Sequence, residues 1–231
     1  MPVLELITSS GLGSLLGMRH ALEPDHLAAV STLVSEERSS YQAALLGACW
    51  GLGHTLALLA AGAVLVVLRA EMPSRVADLF ELFVAVMLIA LGVRAIYLAA
   101  RQGRSGPVHA HQHRGRVHAH ASGATHVHIG TWTLAVRPLI VGAVHGLAGS
   151  GALTALVLAT LPTTSAQLAY MGVFGLGSTI GMVALSGLLG WPLARLGANR
   201  ALARMISMTV GVVSTGLGIV WGYPLVGRIW D

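Results

Sequence analysis

The sequence predicts an all-α integral membrane protein with six transmembrane helices, arranged as two inverted three-helix repeats with a broken first helix. Three observations lead there. The 231-residue chain is 55% hydrophobic and only 10% charged, with a mean hydropathy of +0.74, whereas ordinary soluble chains carry about 25% charged residues. Six apolar runs are each long enough to cross a bilayer as a helix, the open-chain structure that satisfies its own backbone in lipid. Finally, the two halves of the chain resemble each other. The composition argues against a soluble enzyme. The 29 glycines agree with a membrane location, since glycine is more frequent in transmembrane helices than in soluble ones.

The first run, Ile7–Val34, is polar in its middle and contains Pro24. The preceding Met1–Gly17 segment carries Glu5 and no basic residue, so it does not read as a cleaved signal peptide. The second run, Ala43–Leu68, holds the single cysteine, Cys49, which leaves no intrachain disulfide to form. The third is Leu79–Ala100. A stretch from Arg101 to Arg137 then holds seven of the eleven histidines, five arginines and no acidic residue. Beyond it come Pro138–Leu161, Leu168–Gly190 and Met205–Val226. The expected organisation is therefore a first three-helix repeat over 1–100, a His/Arg-rich cytoplasmic linker over 101–137, and a second three-helix repeat over 138–231.

Every basic residue is arginine, and together with nine acidic residues they give a net charge of +5. All but two of the arginines, Arg19 and Arg94, fall in the gaps between apolar runs rather than on one solvated face, which argues against a nucleic-acid partner. One side of the membrane collects Arg38, Arg101, Arg104, Arg114, Arg116, Arg137, Arg195, Arg200 and Arg204, and the other Arg69, Arg75 and Arg228. The excess predicts a cytoplasmic linker with both termini outside.

The internal likeness rests on three matches. Trp50-Gly51-Leu52-Gly53-His54-Thr55 recurs as Phe174-Gly175-Leu176-Gly177-Ser178-Thr179, an offset of 124. Gly17-Met18-Arg19-His20-Ala21-Leu22 recurs as Gly142-Ala143-Val144-His145-Gly146-Leu147, offset 125, and Leu91-Gly92-Val93 with Tyr97 recurs as Leu217-Gly218-Ile219 with Tyr223, offset 126. Each repeat holds three spans, an odd number, so the second copy enters the membrane inverted. Many secondary transporters are built this way, with the substrate site near mid-membrane where the repeats meet.

The chemistry concentrates in His20-Ala21-Leu22-Glu23-Pro24-Asp25-His26, midway through the first run, where ionisable groups are costly and mark function. In a continuous helix, at about 100° per residue, His20 and His26 would sit on different faces. Pro24 removes a backbone donor and disfavours helical angles at Glu23. The resulting break can bring two imidazoles and a carboxylate together and free carbonyls for an ion. His54 adds a third imidazole at similar depth. His145, the counterpart of His20, lies among Gly146, Gly149 and Gly151, which permit close helix approach or unwinding. Glu23 is expected to neutralise Arg19. Imidazoles with one carboxylate suit Ni, Co, Zn or Fe(II) better than Ca or Mg. Alternating histidines at 109, 111, 113, 118, 120, 126 and 128 in the linker suit weak, exchangeable metal capture.

The stretch from Arg19-His20-Ala21 to Asp25-His26 resembles the His-x4-Asp-His signature of the nickel/cobalt transporter family, and Gly53-His54-Thr55 resembles its second motif. The resemblance implies that His20, Asp25, His26 and His54 select and pass the metal. With six expected spans and no counterpart of the larger permeases' later acidic motif, the chain is similar to the shorter, urease-associated or efflux-like branches.

The expected function is therefore transport of a divalent transition-metal ion, nickel or cobalt, by alternating access, with His20, Asp25, His26, His54 and His145 as metal-site residues. No resident cofactor is expected; Ni(II) or Co(II), with Zn or Fe(II) as further candidates, is substrate. The expected setting is the inner membrane, with the lipid bilayer and metallochaperone or metalloenzyme maturation proteins as partners. Two alternatives are a membrane-embedded zinc-dependent metalloenzyme and a small-solute exporter on the same fold.

Overall fold

A computed structural model describes residues 3–35, 37, 39–101, 109–113, 116–120, 126–129, 132–196 and 200–230. Seven helices form: α1 (Val3–His20), α2 (Pro24–Val34), α3 (Ser40–Leu68), α4 (Ser74–Arg101), α5 (Val136–Thr160), α6 (Thr164–Leu196) and α7 (Arg200–Trp230). Among the described residues five helices, α3 to α7, are long and apolar enough to cross a membrane. They cover the five later apolar runs, α5 stopping one residue short of Leu161, and extend beyond most of them. The remaining expected span, Ile7–Val34, is divided between α1 and α2.

The division falls where Pro24 predicts it. Proline occupies the first turn of α2, where a missing N–H costs nothing, and Glu23 before it is extended (φ −65°, ψ 150°), as the residue preceding proline prefers. The backbone N–H groups of Leu22 and Glu23 donate to the carbonyls of Arg19 and His20 at 2.9 and 3.0 Å. Those carbonyls are thus engaged in the turn, not left open to an ion as the sequence suggested. Asp25 sits in the first turn of α2 and Arg19 in the last turn of α1, each with the sign that the helix dipole favours.

In the linker, β1 (His109–His113) pairs antiparallel with β2 (Arg116–His120), and β3 (His126–Ile129) with β4 (Trp132–Ala135). These two small ladders are an addition to the all-α expectation. The metal-capture role expected of the linker histidines concerns side chains outside the described residues.

The principal helix pairs are α3 with α6, α4 with α7, α3 with α5, and α1 with α6. The contacts are reciprocal at the level of single glycines. A Cβ on Gly142 would meet the carbonyl oxygen of Trp50, and one on Gly17 that of Phe174. Gly53 lies against the Leu139 carbonyl and Gly177 against that of Ser14; Gly51 meets Thr179, and Gly175 meets Thr55. Gly92 approaches Gly211 and Thr215, while Gly218 approaches Ala85 and Ile89. In each pair, residues one repeat apart exchange roles. Lipid supplies no hydrophobic force between helices, so small residues that allow backbones to touch carry the association. Large apolar side chains such as Leu56, Val67, Val86, Leu188, Val212 and Val220 instead face outward, as a lipid-facing surface requires.

These contacts predict opposite signs for two similar substitutions. Gly142→Ala drives a methyl into the Trp50 carbonyl and should lower stability by about 1–3 kcal/mol or more. Gly216→Ala meets nothing within 4 Å and should be neutral or stabilising by up to about 1 kcal/mol, since alanine is the better helix former. Thermal unfolding of the purified proteins in one detergent checks both.

Candidate metal centre

All five site residues expected from the sequence come together. His20 closes α1 and Asp25 and His26 open α2, so the break itself juxtaposes them; the rings of His20 and His26 meet edge-on with centroids 4.5 Å apart. His54 enters from α3, with its Nε2 3.3 Å from His20 Nε2. His145 enters from α5, with its ring 4.5 Å from that of His26. The glycines flanking His145 on its helix permit this approach: Cβ atoms at Gly142 and Gly146 would collide with the carbonyls of Trp50 and His54. His26, His54 and His145 are almost completely buried, at 1%, 0% and 2% exposure.

The hydrogen bonds orient the imidazoles. His26 Nδ1 donates to Asp25 Oδ1 at 3.1 Å, His20 Nδ1 to Glu23 Oε2 at 3.1 Å, and His145 Nδ1 to the Val141 carbonyl at 3.3 Å. A neutral imidazole with its proton on Nδ1 presents a lone pair on Nε2. In each of these three rings, therefore, the nitrogen turned away from its oxygen partner is a potential ligand, the arrangement by which proteins present histidine to metals. His26 Nε2, His54 Nδ1 and His145 Nε2 are buried with no hydrogen-bond partner among the described residues. His145 Nε2 instead faces Asp25 Oδ2 at 3.5 Å, so imidazole and carboxylate converge where a shared cation would bind.

Three features were not read from the sequence. Glu23, assigned there to Arg19, bonds His20; the break turns its side chain back onto the preceding helix end. Trp50, seen only as part of the repeat motif, is fully buried and stacks on His26 at 5.4 Å and 28°. Its repeat counterpart, Phe174, lies 5.4 Å from His20, so related aromatics contact different members of the cluster. Their shared place in the motif was the available signal. A cleft of about 530 Å³ reaches the cluster and is lined by Arg19, Glu23, Glu81, Asp25, His145 and Phe174 among others.

Five helices able to cross a membrane, an apolar outer surface and a buried imidazole–carboxylate cluster define a multi-pass membrane protein built to handle a cation. The family described as high-affinity nickel-transport protein matches residues 6–222, and the chain belongs to that family. It is a nickel-transport protein, not an enzyme. It is 31% identical to the urease accessory protein UreH of Bacillus sp. (strain TB-90) over 225 residues, 97% of this chain and 95% of that protein. No solved structure matches it.

The geometry makes Glu23 testable apart from the fold, because its side chain is about half exposed. Glu23→Gln removes the carboxylate that orients His20 and should weaken nickel binding by about 10–100-fold with little change in melting temperature. Isothermal titration and thermal unfolding of the same preparation check this.

Proposed function

We propose that the chain carries Ni(II) or Co(II) across the inner membrane by alternating access, with His20, Asp25, His26, His54 and His145 replacing part of the ion's hydration shell. The observation that carries this reading is the convergence of His20, His26, His54 and His145, with buried nitrogens on the last three that have no hydrogen-bond partner among the described residues, and with the Asp25 carboxylate 3.1 Å from His26. Imidazole suits nickel, cobalt, zinc, copper and iron, whereas calcium and magnesium demand oxygen ligands. Zn and Fe(II) remain chemically compatible candidates, so selection among these metals falls to geometry.

The moving parts are two inverted repeats, 1–100 and 138–231, joined by the linker over 101–137. The reciprocal glycine contacts support this, because an isologous interface pairs residue i with j′ and j with i′. Thr55 and Thr179, counterparts in the two repeats, lie with their hydroxyl oxygens 2.9 Å apart, as residues on such an axis would. Both hydroxyls donate to one carbonyl, that of Gly175, at 2.8 and 2.9 Å, so the pair adopts one of two related arrangements. The cleft draws on the C-terminal half of α5 and the N-terminal part of α6, and so opens on the face of the α3–α4 and α5–α6 loops. The arginine distribution makes that face external and the linker face cytoplasmic. The urease accessory relative supports delivery of the ion towards metalloenzyme maturation proteins.

Binding to the native state alone should raise apparent stability by about 2.7 kcal/mol at 100 times the dissociation constant for nickel or cobalt, with a much smaller shift for magnesium at the same concentration. His20→Ala and Asp25→Asn should each abolish movement of labelled nickel into or out of proteoliposomes. Full transport by both variants would sink the proposal.

A further inference from the structure

The five polar residues are not equidistant from one another. They fall into two groups of three, His20 with His26 and His54, and Asp25 with His26 and His145; within each group, one ligating atom from every residue lies within 4.8 Å of the other two. His26 is the shared member. Its ring lies 4.5 Å from His20 and 4.5 Å from His145, centroid to centroid. Its two nitrogens have different surroundings. Nδ1 is 3.1 Å from Asp25 Oδ1, while Nε2 is buried and unpartnered.

We propose that the cluster holds the metal at two successive positions that share His26: a cleft-side position at Asp25, His26 and His145, and a deeper position at His20, His26 and His54. This rests on the metal-transport reading above and divides its site in two.

The two groups differ in access and chemistry. Asp25, His26 and His145 all line the cleft. A carboxylate there offsets part of the charge of an arriving dication and can hold one that still keeps water. His20 and His26 of the second group line the cleft as well, and what sets this group deeper is His54, which is fully buried and absent from the lining. This group offers three neutral nitrogens and no anion. Magnesium and calcium keep oxygen ligands and dehydrate reluctantly or bind poorly to nitrogen, so the carboxylate position can admit them but the three-imidazole position rejects them. Nickel and cobalt accept both sets. Selection then occurs on the step between positions rather than on entry.

That step is short because His26 does not have to be released and replaced by a wholly new set. A neutral imidazole has one lone pair, so the two positions are occupied in turn rather than together. When the ion is in the deeper position, Asp25 Oδ1 accepts the Nδ1 proton of His26. Asp25 thus passes from ligand to orienting partner as the ion moves inward.

Nickel titration of purified protein distinguishes two positions from one five-donor site. His54→Ala and His145→Ala each leave one complete three-donor group, so each should bind nickel within about threefold of wild type. Their combination should lose more than about a hundredfold, well beyond the roughly tenfold that additive single effects would give. His26→Ala, which breaks both groups at once, should match the double variant; His26→Gln, with monodisperse elution and a cooperative melt, guards against misfolding. Both single variants should bind nickel yet fail to move it across proteoliposomes. Losses that add, with His26→Ala no worse than His54→Ala, would overturn the two positions and leave the transport reading standing. A wild-type protein that binds no nickel would overturn both.

Discussion

The interruption between α1 and α2 is the constraint on which the rest of the structure depends. An uninterrupted helix through residues 7–34 would turn His20 and His26 to different faces and leave Asp25 to find a partner in lipid or among packed helices. Proline at the head of α2 prevents that continuity. The three residues between the helices are few enough that the two helix ends stay adjacent, which puts His20, Glu23, Asp25 and His26 within hydrogen-bond or ring contact of one another. The exposed backbone of the break is satisfied locally by the Leu22 and Glu23 N–H bonds, as an apolar surrounding demands.

Such a cluster is stable only if the remaining helices close around it, and glycine permits the closure. Gly53, Gly142 and Gly146 bring α3 and α5 into backbone contact at the level of His54 and His145. Gly17 and Gly177 do the same for α1 and α6. These contacts are rigid, because nothing as flexible as a long side chain lies between the backbones. The imidazoles of the cluster consequently ride on stiff units, and displacement of one helix carries its histidine with it. The aromatic neighbours add to this: Trp50 fixes the plane of His26, and Phe174 stands against His20.

Electrostatics explains the donor composition. A cluster of several carboxylates at this depth would bear a large uncompensated charge in the absence of the ion. Neutral imidazoles avoid that cost while retaining lone pairs for a metal, and the carboxylate packed directly among them, Asp25, is held by His26 and faced by His145. The site is thus tolerable when empty and attractive to a dication, which a reversible carrier needs.

Much of this was legible in the sequence. Hydropathy alone placed the apolar helices, since the requirement that a chain satisfy its backbone in lipid leaves helix as the solution for runs of that length. Pro24 marked the break, and the rarity of ionisable groups in apolar runs singled out His20, Asp25, His26, His54 and His145 without any knowledge of their contacts. What only the tertiary structure decided were the pairings. Glu23 could reach either Arg19 or His20 along the chain, and the angle of the break chose His20. Trp50 read as a packing residue until the approach of α2 to α3 laid His26 against it. The division of five donors into two groups around His26 depends on distances between α1, α2, α3 and α5, elements up to 125 residues apart, and on which ring nitrogen each neighbour engages. Residue type and spacing specify which donors exist; helix packing alone determines which lone pairs converge.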